Sequence, residues 1–331
     1  MHKILFLSLL LSFLTTFFIT PLWIKKVKKA GLVGGDMNKL GKPEVAEMGG
    51  ICVAAGFLVG VFFYIGITTF YFNGGDVISL YLFACLCTIL IITNVGMIDD
   101  ILGWKIGLRQ WQKPILTLPA ALPIMVINAG QSVMSVPFLG PVDFGIFYPL
   151  IIIPIGITVA ANGFNMLAGY NGLEAGMGIL ILTVMGFVAW QIGLGWVSIL
   201  AFCMVFALIA FLKYNWYPAK IFPGDTLTYS VGALIACVAI LGNMETIAVI
   251  LFIPFILDFI LPLRKRFKVE AFAKVNKDGS LDMPYKGIYD LTHFAIFVLR
   301  KMKNKVYERD VVMFILGIEL VIVAVVWVWY L

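Results

Sequence analysis

Val77-Ile78-Ser79-Leu80-Tyr81-Leu82-Phe83-Ala84-Cys85-Leu86-Cys87-Thr88-Ile89-Leu90-Ile91-Ile92-Thr93-Asn94-Val95-Gly96-Met97-Ile98 carries no charge along its whole length, and the next two residues are Asp99 and Asp100. A bilayer-crossing helix needs about 20 apolar residues, so this stretch reads as one complete span ending on a pair of carboxylates. Comparable runs lie near 3–24, 47–71, 77–98, 114–129, 146–162, 174–192, 194–212, 226–242, 245–263 and 309–331. The fourth and fifth are interrupted by Pro119, Pro123, Pro149 and Pro154. Composition agrees, with 62% apolar and 13% charged residues against about 25% charged in a soluble domain, and a mean hydropathy of +1.02. The expected fold class is therefore all-α: a polytopic membrane protein of about ten transmembrane helices forming one integral-membrane domain over 1–331. A soluble enzyme, a disordered tail and a nucleic-acid-binding domain are excluded, although the pI is near 9.0.

The net charge of +6 reads as topology. The connections after spans one, three, seven and nine hold Lys25 to Lys42, Lys105 to Lys113, Lys213 with Lys220, and Arg264 to Arg309. The alternate connections contain no Lys or Arg, and of the 24 basic residues Lys3 alone falls on the other side. By the positive-inside rule the basic side is the cytoplasm and both termini face outward. The first run resembles a signal peptide in place, but it lacks a small-residue cleavage site and is followed by Lys25-Lys26-Val27-Lys28-Lys29, so it is read as an uncleaved span.

Asp99, Asp100, Asn162, Asn165, Asn171, Glu174 and Asp225 all fall at cytoplasmic mouths of these spans. Two adjacent carboxylates near lipid repel each other, and a divalent cation would relieve that repulsion. Hard oxygen donors suit Mg²⁺ or Mn²⁺, with Mg²⁺ typically taking one or two carboxylates plus substrate phosphate oxygens. Taken alone, the pair reads first as a solvated helix end. The stretch Asn162-Gly163-Phe164-Asn165-Met166-Leu167-Ala168-Gly169-Tyr170-Asn171-Gly172-Leu173-Glu174-Ala175-Gly176 combines amide donors with glycines that let backbone approach a ligand. By itself it is also a plain Gly/Asn turn. Phe222-Pro223-Gly224-Asp225-Thr226 is a turn leading into a helix, with Asp225 either a cap or a ligand. Together the three clusters suggest a metal–phosphate centre. Lys113, between Trp111-Gln112 and Pro114, and the run Arg264-Lys265-Arg266 with Lys268 are cations that could hold phosphate or meet anionic lipid headgroups.

Five cysteines and two histidines give no disulfide framework, zinc motif or His-based site, and the cysteines read as small buried apolar groups. The cytoplasmic subregion 264–308 contains a hairpin signal, Asn276-Lys277-Asp278-Gly279, between Val269–Val275 and Ser280–Tyr285. After it Ile288, Leu291, Ala295, Val298 and Met302 follow helical spacing, expected as an interfacial amphipathic helix. Asp258 and Glu319 stand inside spans and are either functional or interhelical hydrogen-bonding groups.

These motifs resemble the polyprenyl-phosphate N-acetylhexosamine-1-phosphate transferases, most closely the UDP-N-acetylglucosamine–dolichyl-phosphate branch in its archaeal type, over nearly the whole chain. Gly35-Asp36-Met37-Asn38-Lys39 resembles that branch's G-x-D-[LM]-N-K, and Asp99-Asp100 its aspartate pair. Asn162 to Gly176 resembles N-x-x-N-[IM]-L-A-G-[IY]-N-G-L-E-A-G, Phe222 to Thr226 resembles F-x-G-D-T, and Tyr307-Glu308-Arg309 resembles H-E-R. The resemblance implies transfer of GlcNAc-1-phosphate from UDP-GlcNAc to a polyprenyl (dolichyl) phosphate, with release of UMP, as the first step of lipid-linked oligosaccharide assembly for N-glycosylation. It implies Asn165 and Asp225 as Mg²⁺ ligands (Mn²⁺ being the other candidate), and Asp99, Asp100 and Lys113 as catalytic groups. On the substrates it implies Asp36, Asn38, Lys39 and Glu47. It further implies Asn162, Gly169, Asn171, Glu174 and Phe222, and from the last loop Arg264, Arg266 and Lys268. The implied setting is a prokaryotic, archaeal plasma membrane with a cytoplasmic active site, no nucleic-acid partner, and a homodimer as one assembly. The Arg-His-Arg and His-rich motifs of eukaryotic and bacterial relatives are absent, Lys268-Val269-Glu270 lying there instead, so a muramoyl-pentapeptide substrate is not expected. Another UDP-N-acetylhexosamine for cell-surface polysaccharide, or a secondary transporter, are the alternatives.

Overall fold

The computed structural model describes residues 2–72, 76–136 and 140–330. The side chains of His2, Lys3, Asp76 and Lys105, which enter the composition and charge readings, lie outside those described. The helices are α1 (His2–Lys29), α2 (Gly50–Phe70), α3 (Asp76–Ile106), α4 (Gln112–Thr117), α5 (Leu122–Val126), α6 (Ile153–Met166) and α7 (Leu173–Gln191). They continue with α8 (Gly195–Asn215), α9 (Gly224–Gly242), α10 (Glu245–Leu251), α11 (Ile253–Leu263), α12 (Leu291–Met302) and α13 (Glu308–Tyr330). Three two-stranded antiparallel hairpins join them: β1 (Val33–Gly35) with β2 (Glu44–Ala46), β3 (Val133–Val136) with β4 (Gly140–Asp143), and β5 (Lys274–Val275) with β6 (Leu281–Asp282). In lipid each spanning backbone must satisfy its own polar groups, which is why the apolar runs fold as helices.

Eight helices among the described residues are long and apolar enough to cross a membrane. The pair α10 and α11 is apolar enough when taken together, as a broken span or a re-entrant loop, and is bent by 56° where Pro254 lies in the first turn of α11 and withholds a backbone donor. The expected fourth span, 114–129, is the departure from ten. Pro114, Pro119 and Pro123 divide it into α4, a 3₁₀ turn at Leu118–Ala121 and α5, none of them long. It nevertheless packs against α3 and α6, and two side-chain contacts tie its ends to those of α9. Lys113 contacts Asp225 at the start of α9, and Asn243, just after its end, donates to Gln131 at 3.4 Å.

α9 is the centre of the bundle. Every residue from Thr226 to Gly242 is buried, and α2, α3, α6, α7, α8 and α10 pack around it. Membrane helices associate closely through small residues, and the contacts here show why glycine is needed. A Cβ on Gly232 would lie 2.4 Å from the Ala160 carbonyl oxygen, and one on Gly50 would lie 2.2 Å from the Leu227 nitrogen.

The last loop forms its expected hairpin in shortened form, with Lys274 opposite Asp282 and Val275 opposite Leu281. Gly279, at φ +79°, takes the left-handed turn position. The amphipathic helix is α12, whose Asp290 N-cap accepts from the Thr292 amide at 2.8 Å. One face of it packs on the protein. Leu291, Ala295, Ile296 and Leu299 are buried in a helix that packs on α11 and α13, leaving Phe294 and Phe297 outward. Asp258 is the interhelical group in that docking, accepting from the Leu291 amide at 2.8 Å. Glu319 is fully buried in α13, with neither carboxyl oxygen partnered among the described residues. Four cysteines are buried as expected, and Cys87 is exposed.

Candidate active site

The polar mouths of α3, α4, α6, α7 and α9 meet at one end of the bundle, so residues far apart in sequence become neighbours. Gly103 breaks α3 at φ +69°. The chain then folds back so that the Leu108 amide donates to Asp99 Oδ1. That return brings Lys113 between two carboxylates: its Nζ lies 2.7 Å from Asp99 Oδ2 and 2.7 Å from Asp225 Oδ2. Burial disfavours the ammonium, but the charge of Asp225 and the hydrogen bonds to both aspartates outweigh it, so the Lys113 pKa is raised. The ammonium is thereby held between carboxylates from two different helices.

Asp100 has a different place. Its Oδ1 accepts from the Asp225 amide at 2.8 Å, and its Oδ2 accepts from the Thr226 amide at 3.1 Å and from the Thr226 hydroxyl. The first amides of a helix lack intrahelical acceptors, and a carboxylate there also meets the positive end of the dipole. Asp100 therefore caps α9 from α3. Gly224 at φ +71° makes room, since a Cβ there would sit 2.3 Å from Asp100 Oδ2. Consequently Asp100→Ala is expected to lower both the melting temperature in detergent and the rate, whereas Asp99→Ala lowers the rate with a smaller effect on melting. Losing such a cap costs about 0.5–2 kcal/mol. Equal melting of the two variants would contradict the capping role.

Asn165 on α6 faces the same helix: its Oδ1 accepts from Thr228 Oγ1 at 2.7 Å, one turn along α9 from Asp225. Asn162, a turn earlier, donates to Thr117 Oγ1 at 2.9 Å and so ties α6 to the segment carrying Lys113. Glu47 also faces the centre; burial raises its pKa first and the charge of Asp225 second. Phe222 is pinned by its backbone, its amide donating to the Ala46 carbonyl at 2.7 Å and its carbonyl accepting from the Gly49 amide at 2.9 Å.

A second network lies behind the Asn–Gly loop. Asn38 donates from Nδ2 to the Gly169 carbonyl at 3.0 Å and accepts from the Ala273 amide at 3.1 Å. Asn171 Nδ2 donates to Asp36 Oδ2 at 3.0 Å, and Lys39 pairs with Asp36. Glu174 Oε1 accepts from the Gly169 amide at 2.7 Å. Asp36, Asn38, Lys39, Asn171 and Glu174 are thus bonded mainly to one another and to backbone. The last-loop cations are exposed; Arg264 donates to the Ile288 carbonyl at 2.6 Å, and Arg266 and Lys268 have no side-chain bond to the aspartates among the described contacts. Thr117 and Thr228 join the site without having been singled out from sequence, where a threonine one helical turn after Lys113 or Asp225 was the available signal.

The donor set is oxygen-rich and hard, with Asp99, Asp225 and Asn165 around α9. This fits a divalent ion that draws its remaining ligands from substrate phosphate and water. Among the described residues no three His, Cys, Asp or Glu side chains form a closed metal cage.

Comparisons with known proteins place these features in context. The profile of glycosyl transferase family 4 matches residues 82–243. A protein of Saccharolobus solfataricus, provisionally named a UDP-N-acetylglucosamine–dolichyl-phosphate N-acetylglucosaminephosphotransferase, is 40% identical over 324 residues, covering 95% of this chain and 94% of its own. A protein of Sulfolobus acidocaldarius with the same provisional name is 36% identical over 316 residues, covering 95% and 92%. The enzyme of that name from Dictyostelium discoideum is 33% identical over 294 residues, covering 77% and 71%.

Proposed function

The chain belongs to glycosyl transferase family 4, and from that premise we propose that it transfers GlcNAc-1-phosphate from UDP-GlcNAc to a polyprenyl (dolichyl) phosphate. The products are polyprenyl-diphosphate-GlcNAc and UMP, the opening step of lipid-linked oligosaccharide assembly for N-glycosylation. The observation that carries this reading is Lys113 bridging Asp99 and Asp225 at 2.7 Å each, beside Asn165, at one end of an apolar bundle. A phosphate oxygen of the lipid attacks the phosphorus that bears the sugar; an O–P bond forms, the diphosphate bridge breaks, and UMP leaves. The attacking oxygen is already ionised near neutral pH, so alignment and charge neutralisation matter more than a strong base.

Lys113 neutralises charge that builds on the diphosphate, and Asp99 and Asp225 hold it there. Asp225 with Asn165 would bind Mg²⁺ or Mn²⁺, which supplies further neutralisation of the phosphates. Gly169, Asn171, Glu47 and Phe222 line the nucleotide side, and Arg264, Arg266 and Lys268 are the cations offered by the last loop. The arrangement runs through ten spans, with 114–129 as a broken crossing, both termini outside and the site facing the cytoplasm of an archaeal plasma membrane. A secondary transporter is disfavoured because its binding groups belong near the bilayer midplane, whereas these gather at the helix ends.

Membranes containing the protein, given tritiated UDP-GlcNAc, Mg²⁺ and a polyprenyl phosphate, are expected to yield labelled lipid and UMP. The signal disappears with EDTA and returns with added Mg²⁺. No lipid product with any sugar nucleotide would sink the reading.

A further inference from the structure

Glu308 opens α13, the last span, yet its side chain is 3% exposed and turned into the second network. Its Oε1 accepts from the backbone amide of Asn171 at 2.8 Å, across a sequence separation of 137 residues. Nothing in the reaction outlined above uses it. We propose that Glu308 is a positioning residue, which fixes the nucleotide-facing loop 167–172 by holding the Asn171 amide.

The loop needs such a holder. Gly169 and Gly172 adopt φ +97° and +87°, so the backbone between them leaves the regular α7 pattern and its amides have no helical partner. Two buried carboxylates take them up, Glu174 at Gly169 and Glu308 at Asn171. The Asn171 side chain is held separately by Asp36. The loop is thus gripped from α7, from the β1–β2 connection and from the last span, and the grip from α13 depends on one oxygen atom.

The other oxygen shows that the role is acceptance rather than charge. Glu308 Oε2 is buried without a hydrogen-bond partner among the described residues, and the ammonium of Lys39 lies 3.8 Å away while committed to Asp36. Asp36 and Glu308 thus place two carboxylates beside a single lysine, and Asp36 holds it. Removing the charge of Glu308 while keeping its acceptor oxygen should therefore preserve the loop. Glu308→Gln does that, and Glu308→Ala removes both.

This inference rests on the transferase reading only for what the loop binds, so its test has two readouts. Hydrogen–deuterium exchange of peptides spanning 167–173 in the detergent-solubilised full chain is expected to quicken by about tenfold in Glu308→Ala, the loss of one buried hydrogen bond, and to stay within about twofold in Glu308→Gln. In the transfer assay Glu308→Ala is expected to raise the KM for UDP-GlcNAc by about tenfold with the KM for polyprenyl phosphate unchanged, and Glu308→Gln to restore it. Exchange that does not change in Glu308→Ala, Gln behaving like Ala, or both KM values rising together would overturn the positioning role. Wild-type protein that fails to bind UDP-GlcNAc in calorimetry would instead overturn the transferase reading, leaving the exchange result to decide the role of Glu308.

Discussion

Lys113→Met and Asp225→Asn each slow transfer by about 10²–10³-fold, the scale of losing one charged group aimed at a reacting centre, and the double variant is no slower than the worse single one. The expectation follows from geometry. One ammonium sits 2.7 Å from two carboxylates on different helices, so each substitution dissolves the same arrangement. Without the ammonium, Asp99 and Asp225 face each other as like charges; without the Asp225 charge, Lys113 loses the partner that contributes most to raising its pKa. Groups acting as one unit are strongly non-additive. Initial rates across the four proteins, with UMP affinity by calorimetry, supply the check. Losses that multiply in the double variant would mean that Lys113 and Asp225 act separately. The raised pKa of Lys113 adds a sign: the ammonium stays protonated from neutral into alkaline pH, so an alkaline fall in rate near pH 8 must come from another group.

Much of this site was legible in the sequence because charge is scarce there. A chain that is 13% charged leaves few places for chemistry, and Asp99, Asn162, Asn165 and Asp225 could be assigned to one face from span parity alone. Parity does not resolve which atom meets which. Asp99 and Asp100 are adjacent and chemically equal in sequence, yet successive helix positions point about 100° apart. One therefore meets Lys113 while the other caps α9. Asp36, Asn38 and Lys39 read as substrate groups from their motif, and the structure shows Asp36 and Asn38 bonded to the loop behind the site, with Lys39 paired to Asp36. Their partners, Gly169, Asn171 and Ala273, lie more than a hundred residues away, beyond any local pattern. The fourth span was the weakest expectation for a physical reason visible from the start: three prolines between 114 and 123 cannot all be absorbed by one straight helix.

Gly96→Ala is expected to be among the most damaging single-methyl additions in the chain. A Cβ at Gly96 would fall 2.6 Å from the Asp225 carbonyl oxygen and 2.7 Å from Thr226 Cα. These are backbone atoms and cannot rotate aside, so α3 and α9 must separate. Overpacking of this kind costs about 1–3 kcal/mol. The rate should fall further than stability, because α3 carries Asp99 one turn beyond Gly96 and α9 carries Asp225 at the point of collision. A displacement of about 1 Å at such a centre can cost about 10²-fold. Gly317→Ala in α13 is the control, since a Cβ there meets nothing within 4 Å; alanine at an open helix position is favoured over glycine by about 0.5–1 kcal/mol. In detergent the Gly96 variant should melt below wild type and the Gly317 variant at or above it. The Gly317 variant should keep its full rate, while the Gly96 variant, assayed well below its own melting temperature, should still be slow. Normal melting and normal turnover in Gly96→Ala would show that α3 and α9 do not meet so closely, and the alignment of Asp99, Lys113 and Asp225 would then need another explanation.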